Sequence, residues 1–232
     1  MGNQLQSITL GIVRANGPRS SFKHTEASPE VKARVLERDQ HTCQFCGFQS
    51  MKYQDVIPVP GTNAAPGDAH PDKLTTACIF CAQCFDLERV SDMRSGVLIW
   101  LPEIDQAALH HMARAIYVAR ISQGGVANAA RQALDVIMQR REDVRARLGT
   151  DDPYILAQVM KDYLTERHYQ GRASKLDGVR LFPLDRRIIK EADLEFNQFP
   201  QILAYWRSKD GPFAGRLPAQ WPSLLADIRT AA

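Results

Sequence analysis

Absent from this chain of 232 residues is any stretch approaching the roughly 18 consecutive apolar residues that a membrane-crossing helix requires. The segment Met1 to Ser7 lacks the basic start and apolar run of a secretory leader. It also misses the pattern for N-terminal myristoylation, because position 6 is Gln6 and the serine falls at Ser7. Strong charge of either sign is missing too. With 29 Lys and Arg against 26 Asp and Glu, the net charge is +3, so bulk electrostatics do not mark a nucleic-acid binder. Internal repeats and low-complexity segments are lacking. What remains, with 44% hydrophobic and 24% charged residues, is an ordinary globular composition. A cytosolic protein is expected, with any membrane association arising through a partner.

Cysteine is scarce, with only five residues, but four of them fall into Cys43-x-x-Cys46 and Cys78-x-x-Cys81. Two such pairs a few tens of residues apart are how a chain builds a four-thiolate site for one tetrahedral Zn²⁺. A metal held by four thiolates has no open coordination position, so the ion would be structural. The alternative is a pair of disulfides or redox-active dithiols. A cytosolic thiol pool, which keeps cysteines reduced, argues against it.

Around these pairs the pattern predicts an α+β protein. Residues 7–14 read as a short strand from their β-branched content. Ser28 and Pro29 open a helix with Val31, Val35 and Leu36 on its apolar stripe. Residues 61–71 are rich in turn formers and read as an exposed loop, and a helix is expected within Lys73–Val90. Gly96 to Pro102 reads as a buried strand. Beyond residue 104 the periodicity turns helical. Asp105 caps a helix carrying Leu109, Met112, Ile116 and Ala119, and a second runs from Gly124-Gly125 to Gly149. Asp152-Pro153 opens a third, with Leu156, Val159, Met160 and Tyr163 inward, and the three have the spacing of a packed bundle. His110 and His111 read as packing or surface residues, since no other ligand is near in sequence. Residues 165–182 look loop-like, and further helices are expected at 184–195, 197–208 and 219–230. Phe196, Phe199, Tyr205, Trp206, Phe213 and Trp221 concentrate there and are expected to close the core rather than to anchor a partner.

The run from Val35 to Asp39, Cys43-Gln-Phe-Cys46-Gly47, Tyr53 to Pro58, and Leu74 to Cys81 resembles the HNH endonuclease family. The resemblance implies a ββα-metal fold pinned by zinc. Its chemistry needs a histidine base and further His or Asn groups on a divalent ion. Here the position of the base is Val56, within Asp55-Val56-Ile57-Pro58, and that of the central Asn is Lys73. The third position is occupied by Ala82-Gln83-Cys84, while His70 could substitute only from within the loop. The implied fold is kept and the catalyst lost.

Closer is the IcmJ/DotN family of type IVB (Dot/Icm) secretion systems. Cys43-Gln-Phe-Cys46-Gly-Phe-Gln49, Tyr53-Gln-Asp55, Thr76-Ala-Cys-Ile-Phe-Cys-Ala-Gln-Cys-Phe85 and Gly96 to Glu103 are similar to it. The likeness is strong over residues 30–104, extends through the helices to about 190, and does not reach 196–232. It implies an HNH-like zinc module in residues 1–104, followed by a mostly helical region, 105–232, packed on it. It also implies a non-enzymatic component of the coupling complex, peripheral to the inner membrane on its cytoplasmic side. The implied partners are the C-terminal extension of the coupling-protein ATPase and other coupling-complex subunits, without direct membrane insertion or a nucleic-acid partner. Matched to the family's pairs, Cys43, Cys46, Cys78 and Cys81 carry one structural Zn²⁺. Cys84 is either a buried thiol beneath an apolar shell of Phe45, Phe48, Phe80 and Phe85, or a ligand displacing Cys81; the first needs no rearrangement of two equivalent turns. The competing reading is a divergent HNH endonuclease or DNA-binding zinc protein.

Overall fold

The computed structural model describes residues 5–13, 27–62 and 70–223. Local signals set the first helix, α1 (Pro29–Arg38). The Ser28 hydroxyl accepts from the Val31 amide, and Pro29 brings a pre-set φ to the first helical position. Val35 is its buried residue. At its end the Asp39 carboxylate accepts two bonds from Arg38, at 2.8 and 3.0 Å, and one from the Thr76 amide at 2.8 Å. Arg38 also donates to the carbonyls of Pro71 and Leu74. Burial raises the Asp39 carboxyl, but the bonds from Arg38 and Thr76 outweigh it and hold the group below its ordinary range. The Arg38-Asp39 dipeptide thereby pins α1 to the strand that precedes the second cysteine pair.

That strand is the second of two. β1 (Gln54–Pro58) pairs antiparallel with β2 (Leu74–Cys78), with Gln54 opposite Cys78 and Pro58 opposite Leu74. Of the loop expected over 61–71, residues 63–69 lie outside the described residues, and Pro71–Lys73 forms a 3₁₀ turn leading into β2. α2 (Ile79–Cys84) follows β2 without a break, and α3 (Leu87–Asp92) comes next. The helix expected within 73–90 is present as α2, preceded by a strand and followed by a second short helix. The Asp86 side chain caps the second by accepting from the Arg89 amide. The strand expected over 7–14 is not formed in residues 7–13, and residue 14 lies outside the described residues. The Gly11 amide donates to the Cys84 carbonyl, and the Leu87 amide to the Gly11 carbonyl. This segment thus bonds to the end of α2 and the start of α3.

β3 (Gly96–Trp100) occupies the predicted apolar run. Three predicted caps then hold three predicted helices. Asp105 accepts from the Ala108 amide at the start of α4 (Gln106–Arg120). Gly149, at φ 76°, ends α5 (Gly125–Leu148) in the left-handed conformation that favours glycine. Asp152 accepts from the Tyr154 amide ahead of α6 (Pro153–Asp162). Their packing departs from a three-helix bundle: α4 packs on α5, whereas α6 packs on α3 and β3. Leu156, Ala157 and Met160 consequently face inward, while Val159 is 42% and Tyr163 79% exposed, contrary to expectation. Met112 of α4 also faces outward, at 41% exposed. An apolar stripe at helical spacing does not by itself specify which neighbour will cover it.

The region read as a loop, 165–182, contains α7 (Glu166–Gln170), α8 (Arg172–Lys175) and most of β4 (Val179–Pro183). β4 pairs antiparallel with β3, with Gly96 opposite Pro183 and Trp100 opposite Val179. Gly178 precedes it at φ +80°, and an added Cβ there would lie 2.5 Å from the Trp100 ring. Gly178→Ala is expected to cost about 2 kcal/mol or more, from left-handed strain plus overpacking. An unshifted midpoint in urea titration would contradict this.

Residues 184–195, expected to be helical, instead supply β5 (Ile188–Glu191), a turn with Ala192 at φ 50°, and the start of β6 (Leu194–Asn197). β-branched Ile188 and Ile189 and the turn at Ala192 override the helical period. α9 (Phe199–Arg207) forms where expected. Of the pattern at 219–230, Pro218–Gln220 make a 3₁₀ turn and 221–223 are helical; 224–230 lie outside the described residues.

Phe199 and Trp206 are core residues as predicted, Tyr205, Phe213 and Trp221 pack against the core, and Phe196 on β6 is only half-buried. Two buried clusters hold the molecule together. One joins Phe45 and Phe80 to Ile99, Tyr117, Phe182 and Trp206; the other joins Leu98 and Val90 to Val144, Met160 and Leu181. Each mixes residues from before and after position 104. Among the described residues no helix is long and apolar enough to cross a membrane.

Candidate metal centre

Two short turns bring the cysteine pairs together. In the first, the Gly47 amide donates to the Cys43 carbonyl and the Cys43 amide to the Phe48 carbonyl, with Gly47 at φ 72°. In the second, Cys78 ends β2 and caps α2, its sulfur accepting from the Cys81 amide at 3.4 Å. The β1–β2 ladder and the Arg38–Asp39 lock hold the second turn against the first, and the Gln44 amide donates to the Thr76 carbonyl. All four thiols are buried, and their sulfurs lie within 4.8 Å of one another. None is in a disulfide. A tetrahedral four-thiolate site with metal–sulfur bonds of about 2.3 Å requires sulfur separations of about 3.8 Å. Cys46 and Cys78 stand at 3.7 Å. The quartet could hold a metal ion, and among the described residues no other group of three or more His, Cys, Asp or Glu comes together in this way.

Cys84 stays outside the quartet. Its buried Sγ lies 3.7 Å from the Phe80 carbonyl oxygen and 3.8 Å from His110 Nε2. The Phe45 and Phe85 rings meet at 4.7 Å with a 46° tilt, and Phe80 and Phe48 each meet Trp206 edge-on. These phenylalanines join an aromatic cluster to which α9 contributes, whereas Cys84 belongs to the other buried cluster, with Leu10, Leu87 and Val90. Burial pushes the thiols of Cys78, Cys81 and Cys84 up. Cys46 is held down, with Cys43 beside it as a hydrogen-bond partner, and Cys43 is lowered as well. Full ionisation of four crowded, buried thiols requires a cation among them.

The unexpected contribution comes from α4, whose one face supplies three polar groups to the cysteine turns. His110 Nδ1 lies 3.2 Å from Cys81 Sγ. Its Nε2 accepts from the Gln106 amide nitrogen at 2.9 Å, which leaves Nδ1–H to donate to sulfur. Gln106 is itself fixed by two bonds to the Leu181 backbone in β4. Burial, aided by the Arg114 charge, lowers His110 to about 3, so its imidazole is neutral. His111 donates from Nε2 to the Cys46 carbonyl at 2.7 Å, and its hydrogen bonding to Cys46 raises it. Arg114 Nη2 lies 2.6 Å from Cys78 Sγ and 3.7 Å from Cys46 Sγ. Its guanidinium stacks 4.0 Å from the Phe48 ring centroid and is 1% exposed.

His110 and His111 stay out of the quartet, as expected of packing residues, but both bond to the cysteine turns, from 29 and 65 residues away, which the sequence reading does not anticipate. Arg114 was missed altogether. A signal was available, since His110 and Arg114 are polar residues spaced i, i+4 beside the apolar stripe of a helix, a pattern that demands buried partners.

The positions matched to a nuclease lie elsewhere. Val56 is half-buried in mid-β1 opposite Thr76, Lys73 is exposed at the end of the 3₁₀ turn, and His70 is exposed at its start. Beside β1 runs an open groove of about 740 Å³, whose lining includes Lys32, Tyr53, Asp55, Arg89, Arg187 and Lys190 but no histidine among the described residues.

No protein-family model matches the chain. It is 32% identical over 200 residues to the type 4 apparatus protein DotN of Legionella pneumophila subsp. pneumophila (strain Philadelphia 1), an alignment covering 83% of this chain and 92% of that protein.

Proposed function

This chain belongs to the IcmJ/DotN family, and from that membership we propose that it is a non-catalytic, zinc-stapled component of a type IVB (Dot/Icm) coupling complex. The observation that carries the reading is identity extending over nearly all of a type 4 apparatus protein. In this reading Cys43, Cys46, Cys78 and Cys81 hold one structural Zn²⁺. Sulfur spacing and burial support that assignment, and borderline-soft zinc suits four thiolates. The bound ion would supply no chemistry beyond holding the two turns together. The strand–strand–helix order of β1, β2 and α2 supports an HNH-like module within residues 1–104, with 105–232 packed upon it.

The module has no enzymatic role on this reading. Val56 cannot accept a proton, and Lys73 sets positive charge where a second cation would bind. The partner is the C-terminal extension of the coupling-protein ATPase, together with other coupling-complex subunits, at the cytoplasmic face of the inner membrane. The expected result of purifying the protein from its native host at moderate salt is recovery of a coupling ATPase alongside it. Recovery without that ATPase, in cells that express it, contradicts the proposal.

Plasmid nicking offers an independent check. With Mg²⁺, Mn²⁺ or Ni²⁺ the protein is expected to leave supercoiled plasmid intact. Cleavage that disappears on His70→Ala would restore the nuclease reading. Val56→His asks whether returning a base is enough to create activity, and no cleavage is expected while Lys73 remains.

A further inference from the structure

Arg114 is a guanidinium sealed inside the protein, 1% exposed, and among the described residues no carboxylate pairs with it. Its Nε and Nη1 have no hydrogen-bond partner among the described residues, while the rings of Phe48 and Phe80 cover it at 4.0 and 5.1 Å. Among the described residues its polar contacts are two sulfurs, Cys78 at 2.6 Å and Cys46 at 3.7 Å, one from each cysteine pair. Buried cations are retained where a counter-charge is present. Here that charge must come from the sulfurs, and neutral thiols would not supply it.

Resting on the metal reading above, we propose that Arg114 is a positioning residue for the metal centre: the built-in counter-ion of a divalent ion held by four thiolates, setting how tightly and how slowly that ion is exchanged. Four thiolates around a divalent ion carry a net charge of −2, and Arg114 halves it without entering the coordination shell. Because its Nη2 contacts sulfurs of both pairs, it also bridges the two turns independently of the metal. Donation into Cys78 and Cys46 draws charge off the sulfurs, which makes them poorer nucleophiles toward chelators and oxidants. The same geometry explains why His110 stays outside the shell: its Nδ1–H points at Cys81 as a donor, and its Nε2 is occupied by Gln106. α4 thus completes the metal centre from the helical part of the chain.

The test uses the full chain loaded with one equivalent of Zn²⁺ or Co²⁺ and titrated against a chromophoric chelator. Arg114→Met, which keeps the bulk and removes the charge, is expected to weaken metal affinity by about 10- to 100-fold, the range typical of outer-shell changes. Arg114→Lys, retaining charge but not the fork, is expected to recover part of that loss. In the Co²⁺ form the d–d bands of a four-thiolate site should persist in Arg114→Met, while the sulfur-to-metal charge-transfer band moves to lower energy. A purely structural role would leave that band unmoved. Affinity within twofold of the parent and an unshifted band in a folded Arg114→Met variant would overturn the assignment. Should the methionine variant fail to fold, Arg114→Gln, which also removes the charge, carries the same two readouts. Failure of the parent itself to bind one equivalent would instead remove the metal reading on which the inference stands.

Discussion

Serine at position 43 is expected to leave little soluble protein, and that little without stoichiometric metal. Cys43 is one of four buried sulfurs within 4.8 Å of one another, and its backbone also closes the first turn through Gly47 and Phe48. Structural Zn²⁺ contributes about 10–16 kcal/mol of apparent binding free energy in small zinc modules, against about 5–15 kcal/mol of net stability for a whole domain. Losing even about 5 kcal/mol of that would lower the melting temperature by roughly 10–20 °C in a chain of this size. Removal of the ion by a chelator should act in the same direction, with Arg114 then facing thiols it cannot pair with. Cys84→Ala is the contrasting variant, because Cys84 lies outside the quartet, and it should retain one equivalent. Elemental analysis and thermal melting of the three proteins check the expectation. Soluble Cys43→Ser protein with an unchanged melting temperature would count against a structural metal.

The second large effect is expected at Trp206. It is among the largest fully buried side chains, at 1% exposed, and it meets Phe48 at 5.8 Å, Phe80 at 5.6 Å and Phe199 at 6.0 Å between ring centroids. Phe48 and Phe80 in turn cover Arg114. Trp206→Ala should therefore cost about 3–5 kcal/mol, from lost transfer energy plus a cavity, and roughly 6–20 °C in melting temperature. Trp206→Phe should cost far less, because the indole Nε1 is buried without a hydrogen-bond partner among the described residues. A Trp206→Ala protein as stable as its parent would show that α9 is an appendage and not part of the core.

These effects meet at one place. α9 supplies Trp206 and Phe199, α4 supplies His110, His111 and Arg114, and the two cysteine turns lie against them. The cysteine turns thus share one buried cluster with α4 and α9, which is why a change as far away as Trp206 is expected to reach them.

What the sequence by itself determined are features whose partners sit within a few residues. The Cys-x-x-Cys pairs, the caps at Ser28, Asp105 and Asp152, and the left-handed stop at Gly149 are all of this kind. Only the tertiary structure decided the rest. Strand β4 exists because β3, some 80 residues earlier, offers an edge to Val179–Pro183. α6 turned Val159 and Tyr163 outward because α3 and β3 pack on its other side. Arg114 came to lie against the cysteine sulfurs because folding strips water from a guanidinium 36 residues beyond Cys78 and leaves it facing sulfur and aromatic rings. Hydrogen-bond spacing along a chain is written in sequence, whereas the cost of desolvation is fixed only when distant segments close around a group.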